Sequence, residues 1–202
     1  LGRQLRVDLQ IAQELREAIT HNQFLLHYQP QYNLTTGELT GVEALIRWDH
    51  PTRGMVPPGL FIGVAEDHGL MRPIGRWVRT EAFAQAKRWE EDGLRVPLIA
   101  VNLSPMELQD PTFADTILAE FASCPIELDR IELELTEAAL LSADPGNTDV
   151  LASLRSAGIR LAIDDFGTGY SSMAQVATLP CDILKIDRSF IAAMMHQPKS
   201  MS

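Results

Sequence analysis

Two cysteines, Cys124 and Cys181, are the only thiols in 202 residues. Two can build neither a disulfide framework nor a thiolate metal cage, so reduced thiols in a cytosolic protein are expected. Positive charge is scarce as well: 17 Lys and Arg stand against 27 Asp and Glu, a formal charge of −10. So acidic a chain is a poor electrostatic partner for a nucleic-acid polymer, whereas a small anion held through metal ions stays compatible with it. No apolar run approaches the ~20 residues that cross a bilayer, and no secretory n- and h-region opens the sequence. The expected location is cytoplasmic, for a free chain or for the cytoplasmic part of a membrane-anchored protein. No linker-like shift in composition interrupts the sequence. One domain over residues 1–202 is expected, led by an amphipathic helix over residues 1–22 with Ile11, Leu15, Ala18 and Ile19 at helical spacing.

After that helix the periodicity changes to two. Phe24–Tyr28 and Gly41–Trp48 read as strands, joined by a turn around Thr35-Thr36-Gly37-Glu38 too short for a helical crossover, so they should pair antiparallel. Residues 51–58 read as a Pro/Gly-rich loop. From there helices and strands alternate. A helix carries Ile74, Trp77, Val78, Ala82, Ala86 and Trp89 on a core stripe and stops near Gly93. Strands are expected at Leu98–Leu103, Arg130–Thr136, Arg160–Asp165 and Asp182–Ile186. Helices are expected after Asp110-Pro111, with Asp as N-cap and Pro as first helical residue, over Thr148–Ala157 and over Ser171–Ala177. Such alternation indicates a mainly parallel α/β sheet.

Side-chain parity gives the pattern chemical meaning, because residues two apart share a strand face. Glu43, Leu45 and Arg47 point one way; Asn102 opposes Val101 and Leu103; Glu132 and Glu134 oppose Leu133 and Leu135; Asp164 opposes Ile163; Lys185 opposes Leu184 and Ile186. Asn102, Glu134 and Asp164 recur at about the 30-residue period of a strand–helix unit, late in their strands, where a (β/α) barrel carries its active site. Hard oxygen ligands gathered on one rim must share protons or bind cations. The five histidines show no metal spacing, and His27 and His50 read as packing or surface groups.

Six segments taken together resemble the EAL domain family, the bacterial phosphodiesterases that cleave cyclic di-GMP. They are Tyr28-Gln29-Pro30, Glu43-Ala44-Leu45-Ile46-Arg47, Asn102-Leu103-Ser104, Glu134-Leu135-Thr136-Glu137, the run Asp164-Asp165-Phe166-Gly167-Thr168-Gly169-Tyr170-Ser171-Ser172, and Lys185-Ile186-Asp187. The resemblance implies a TIM-like (β/α) barrel whose first strand runs antiparallel to the others. It implies hydrolysis of cyclic di-GMP to linear pGpG in second-messenger signalling. Glu43, Asn102, Glu134, Asp164 and Asp165 would be ligands of a two-metal site holding Mg²⁺ or Mn²⁺, with Asp164 bridging. Lys185 would hold or deprotonate the attacking water, and Glu43 would be catalytic together with it. Arg47 would contact a substrate phosphate, Gln29 and Leu45 would line the nucleotide surface, and Glu137 would brace the Asp165–Ser172 loop. A homodimer is implied, and fused sensory or GGDEF domains are compatible with the family.

The resemblance also has departures. A family barrel continues past the lysine strand for two more strand–helix units, one bringing a further metal-binding glutamate. This sequence stops at Ser202, roughly 50 residues short of a typical barrel, and Met194–Ser202 brings no such glutamate. A C-terminally incomplete barrel with impaired hydrolysis on its own is therefore expected. Gly63 stands where the family usually has proline. The alternative function is a catalytically inactive EAL-type receptor or signalling scaffold, against which the retained Glu43, Asp164, Asp165 and Lys185 count.

Overall fold

Asn33 turns the chain: its side-chain oxygen accepts the amides of Thr35 (2.8 Å) and Thr36 (3.0 Å), and its backbone N–H reaches Glu38 O at 2.9 Å. This Asx-type loop joins β1 (Phe24–Tyr32) to β2 (Leu39–His50) as an antiparallel hairpin that sets Gln29 opposite Glu43 and His27 opposite Leu45. The computed structural model describes residues 2–110, 112–123, 126–141, 145–167 and 180–196. They fall into two units, Leu1–Asn102 with Ser123–Ile126, and Leu103–Ala122 with Glu127–Ser202.

In the first unit α1 (Gly2–Thr20) buries Ala12, Leu15 and Ala18. The hairpin continues into β3 (Gly54–Val56), antiparallel to β2, a 3₁₀ turn at Pro58–Leu60, and α2 (Ile62–Asp67). The long helix α3 (Met71–Glu91) buries Ile74, Val78, Ala82 and Ala86, and β4 (Ile99–Asn102) follows. β2 and β4 run parallel with Glu43 opposite Ala100. Their approach depends on Gly41, where a Cβ would lie 2.9 Å from both Leu98 Cβ and Leu98 O. Trp48, wholly buried, anchors the hairpin base. Its ring meets Phe61 edge-on at 5.6 Å and His50 at 4.9 Å, and its Nε1 donates to Gln23 Oε1 at 3.2 Å. Glu14 of α1 holds the turn after β2, taking Arg53 Nη2 at 2.8 Å and His50 Nε2 at 3.4 Å.

The second unit opens with α4 (Pro105–Leu108), closed by a capping box in which Ser104 and Glu107 satisfy each other's amides. Asp110 starts α5 (Phe113–Ala122) by accepting Thr112 N (2.9 Å) and Thr112 Oγ1 (2.7 Å). A 3₁₀ turn at Leu128–Arg130 leads into β5 (Ile131–Thr136), buried on both faces, as parallel strands covered on each side are. Then come α6 (Glu137–Leu141), α7 (Pro145–Ser156), β6 (Arg160–Phe166), β7 (Ile183–Ile186) and α8 (Arg188–His196). β5, β6 and β7 pair in parallel, with Thr136 opposite Asp164 and Ile163 opposite Leu184. Asp182 ties the strand entrances together: one oxygen accepts Arg155 Nε at 2.9 Å and the other Leu161 N at 3.1 Å.

Among the described residues the expected order of strands and helices holds, with differences that have local causes. The strands of the hairpin extend beyond Phe24–Tyr28 and Gly41–Trp48. The segment 51–58, expected as loop alone, contains β3, because His50 Nδ1 accepts the amides of Thr52 and Arg53 and folds the chain back on β2. Trp77 and Trp89 are half-buried rather than core, since they cover β1 from outside, Trp77 against Phe24 (5.6 Å) and Trp89 against Tyr28 (4.7 Å). Leu184 and Ile186, the apolar face of β7, are 39% and 53% exposed. Pro111, Cys124, Thr168–Ser172, the expected helix Ser171–Ala177 and residues 197–202 lie outside the described residues. Among the described residues no helix is long and apolar enough to cross a membrane.

Candidate functional site

In the first unit the polar face of β2 presents Glu43, Leu45 and Arg47, all half-buried, while Ala44 and Trp48 are buried on the other face. This is the alternation a half-covered strand imposes. Asn102, the last residue of β4, donates from Nδ2 to Glu43 Oε1 at 3.1 Å. Parallel pairing of Glu43 with Ala100 brings the two side chains together. Arg47 Nη1 donates to the backbone oxygen of Ile46 at 2.8 Å. Gln29 is exposed beside Glu43 in the hairpin register. Its neighbour Tyr28 faces away, and burial, reinforced by the charge of Glu81, pushes its hydroxyl above the usual phenol range. That group is a neutral packing residue rather than an acid or base.

In the second unit the strand ends present Glu134, Asp164 and Lys185. Lys185 Nζ lies 2.6 Å from Glu134 Oε1 and 3.8 Å from Asp164 Oδ1. Glu134 is almost fully buried, whereas Asp164 and Lys185 keep about a fifth of their side-chain surface open. Leu103 N, at the start of this unit, donates to Glu134 O at 2.8 Å. β6 bends near its end: Asp165, within the strand, has φ +55°, and Gly167, just past it, has φ +100°. Buried Glu137, first residue of α6, accepts Gly167 N through Oε2 at 3.0 Å. On the other side, Asp187 N donates to Phe166 O at 3.1 Å.

The structure thus joins Glu43 with Asn102 in one unit and Glu134, Asp164 and Lys185 in the other. Asp165 is exposed at its turn. Among the described residues no three His, Cys, Asp or Glu side chains form a metal-holding group. The donor chemistry nevertheless fits a hard divalent cation, because carboxylate and amide oxygens are what Mg²⁺ and Mn²⁺ prefer. The ammonium of Lys185 beside two carboxylates also marks that rim as a place where positive charge is met. The contact of Phe190 with Gly167 leaves almost no trace in the sequence. A ring two residues beyond the helix start gives no periodic signal, and only the missing side chain at Gly167 hints at it.

A family model described as EAL domain matches residues 12–202. The chain is 39% identical over 188 residues to the bifunctional diguanylate cyclase/cyclic di-GMP phosphodiesterase MucR of Pseudomonas aeruginosa, covering 93% of this chain and 27% of that protein. It is 38% identical over 188 residues to the cyclic di-GMP phosphodiesterase PdeR of Escherichia coli, covering 93% and 28%. The chain therefore spans about a quarter of the length of the curated relatives it matches. The solved MucR phosphodiesterase in complex with c-di-GMP superposes with a TM-score of 0.86 at 38% identity, over 94% of this chain and 77% of that one. The EAL enzyme Bd1971 in its cAMP- and cyclic-di-GMP-bound form gives 0.87 at 29%, over 98% and 55%. Their TIM-like barrel is the fold class expected from the sequence.

Proposed function

The chain belongs to the EAL domain family, and from that premise we propose that it hydrolyses cyclic di-GMP to linear pGpG with the help of Mg²⁺ or Mn²⁺. The observation that carries the reading is the convergence of Lys185 on Glu134 and Asp164 at 2.6 and 3.8 Å. A lysine between carboxylates at the ends of parallel strands provides, in one place, groups that attract cations and a group that handles a water molecule. Glu43, Asn102, Glu134, Asp164 and Asp165 would hold two divalent ions. Bound there, such ions supply the positive charge that a doubly substituted phosphate needs before a nucleophile can approach.

The chain's own residues divide the remaining work. Lys185 Nζ holds the attacking water or takes its proton. Glu43 keeps Asn102 oriented through the 3.1 Å hydrogen bond. Arg47, four residues further along the same face of β2, meets a phosphate oxygen of the substrate. Gln29 and Leu45 form the adjoining nucleotide surface, and Glu137 steadies the turn after Asp164 through Gly167. A homodimer in the cytoplasm accompanies this reading, and the free Cys181 thiol suits a reducing compartment. The much longer curated relatives support fused sensory or GGDEF partners.

Incubating the protein with cyclic di-GMP and Mn²⁺, and separating the products chromatographically, tests the reading: pGpG should accumulate, and Glu134→Gln should stop it. A dinucleotide left intact with either metal refutes it. Binding without hydrolysis is the second reading. Calorimetric binding of uncleaved dinucleotide in Mn²⁺ would select it.

A further inference from the structure

Gly167 is held from two sides. From α6, Glu137 Oε2 accepts its amide at 3.0 Å. From α8, the ring of Phe190 lies so close that a Cβ on Gly167 would stand 2.9 Å from Phe190 Cδ2, 3.0 Å from Cγ and 3.2 Å from Cβ. The turn between these supports holds two positive φ angles, at Asp165 and Gly167. One of them falls on a residue with a side chain, a conformation that persists only where the surroundings enforce it. The β6–β7 register is irregular between Ile163 and Phe166 as well, so pairing with β7 alone does not set the direction in which Asp164 and Asp165 are presented near the end of β6.

Phe190 is itself firmly placed. Its amide donates to Asp187 O at 3.1 Å, and Asp187 N donates to Phe166 O at 3.1 Å. Asp187 Oδ1 also caps the helix by accepting Ser189 N at 2.7 Å. The first turn of α8 is therefore bound to the strand exit that it presses on, and Lys185 lies two residues before Asp187 on the same segment. Phe190 is nevertheless 37% exposed, so its ring buries less apolar surface than a core phenylalanine does, and contact with the turn accounts for its placement better than core packing.

We propose that Phe190 is a positioning residue: its ring, seated on Gly167, whose amide Glu137 accepts, fixes the turn that aims Asp164 and Asp165 at the cations of the site. This rests on the proposed function for its catalytic consequence, but the contact itself does not. A displacement of an ångström at a reacting centre can cost ~10²-fold in rate, so loss of the ring should be felt in turnover and in metal uptake together.

Two measurements on the intact protein test it. In the first, Mn²⁺ is titrated calorimetrically and cyclic di-GMP turnover is followed. Phe190→Ala should weaken Mn²⁺ binding and lower kcat by about tenfold each, with KM within about twofold, and Phe190→Leu should recover most of both. A folded Phe190→Ala protein matching the parent in Mn²⁺ affinity and kcat overturns the proposal. In the second, a melting cycle combines Gly167→Ala with Phe190→Ala. The methyl group should cost clearly less in Tm when the ring is absent, since only the φ strain then remains; equal costs in both backgrounds overturn the contact. Should the unsubstituted protein neither take up Mn²⁺ nor cut the dinucleotide, the proposed function and the positioning role fall together, and the melting cycle still decides the contact.

Discussion

Lys185 and Glu134 meet at 2.6 Å although their strands are not neighbours: β6, carrying Asp164, stands between β5 and β7. The lysine therefore reaches over Asp164, passing it at 3.8 Å, and three strands are tied by one side chain at their C-terminal ends.

Removing that side chain should cost both stability and activity. Lys185→Met takes the cation from a carboxylate that is almost fully buried, and breaking a buried pair from one side typically costs ~3–5 kcal/mol. Denaturant melts should register that loss. Adding Glu134→Gln should restore part of it, while pGpG formation should remain absent in both variants.

Glu43→Ala should behave in the opposite way. The residue is half-buried and accepts from the exposed Asn102 at a strand face rather than in the core, so the fold should lose only ~1 kcal/mol, whereas turnover should fall at least ~10²-fold. Parallel melting and product assays check the separation. A loss of Tm proportionate to the loss of activity would contradict a role for Glu43 toward cations.

Gly41→Ala should separate β2 from β4. The added methyl would meet Leu98 Cβ and the Leu98 backbone oxygen at 2.9 Å; the backbone atom cannot rotate away, so a loss of ~1–3 kcal/mol is expected. The Val42 N–H bond to Leu98 O should also lose protection, which amide hydrogen exchange would report.

Asp187 gives the fold an acid limb. The Ser189 hydroxyl and amide that it accepts hold its carboxyl below the usual range, with the charge of Arg188 adding to the effect. A carboxyl whose folded value is depressed stabilises above its unfolded value, ~3.9 for aspartate, and loses that contribution as pH falls through the lower folded value. The Tm deficit of Asp187→Ala should therefore be full near neutrality, shrink as the pH is taken below that ordinary aspartate value, and vanish in stronger acid.

Much of this was legible in the sequence because periodicity and parity are local. The turn at Asn33–Glu38 dictated an antiparallel hairpin, and alternation along β2 separated Glu43, Leu45 and Arg47 from Ala44 and Trp48. The structure agrees on both counts. The shortest elements escaped. β3 has three residues and α2 six, lengths at which no period can be counted. The helix α4 carries a local signal, Ser104-Pro105-Met106-Glu107, a capping box whose single following turn is too short to show a period. The grip of Phe190 and Glu137 on Gly167 was out of reach, since it joins residues far apart in the chain through the absence of a side chain.

The hairpin has a kinetic consequence. Gln29 and Glu43 face each other across a loop of a few residues, and hairpins of that kind close within ~1–10 μs. Glu43 and Asn102 meet only after the whole of α3 has been threaded between their strands, and contacts so distant in sequence form late. On the way to the native state, the edge proposed to face the nucleotide is complete while the neighbouring ligand pair is still unassembled.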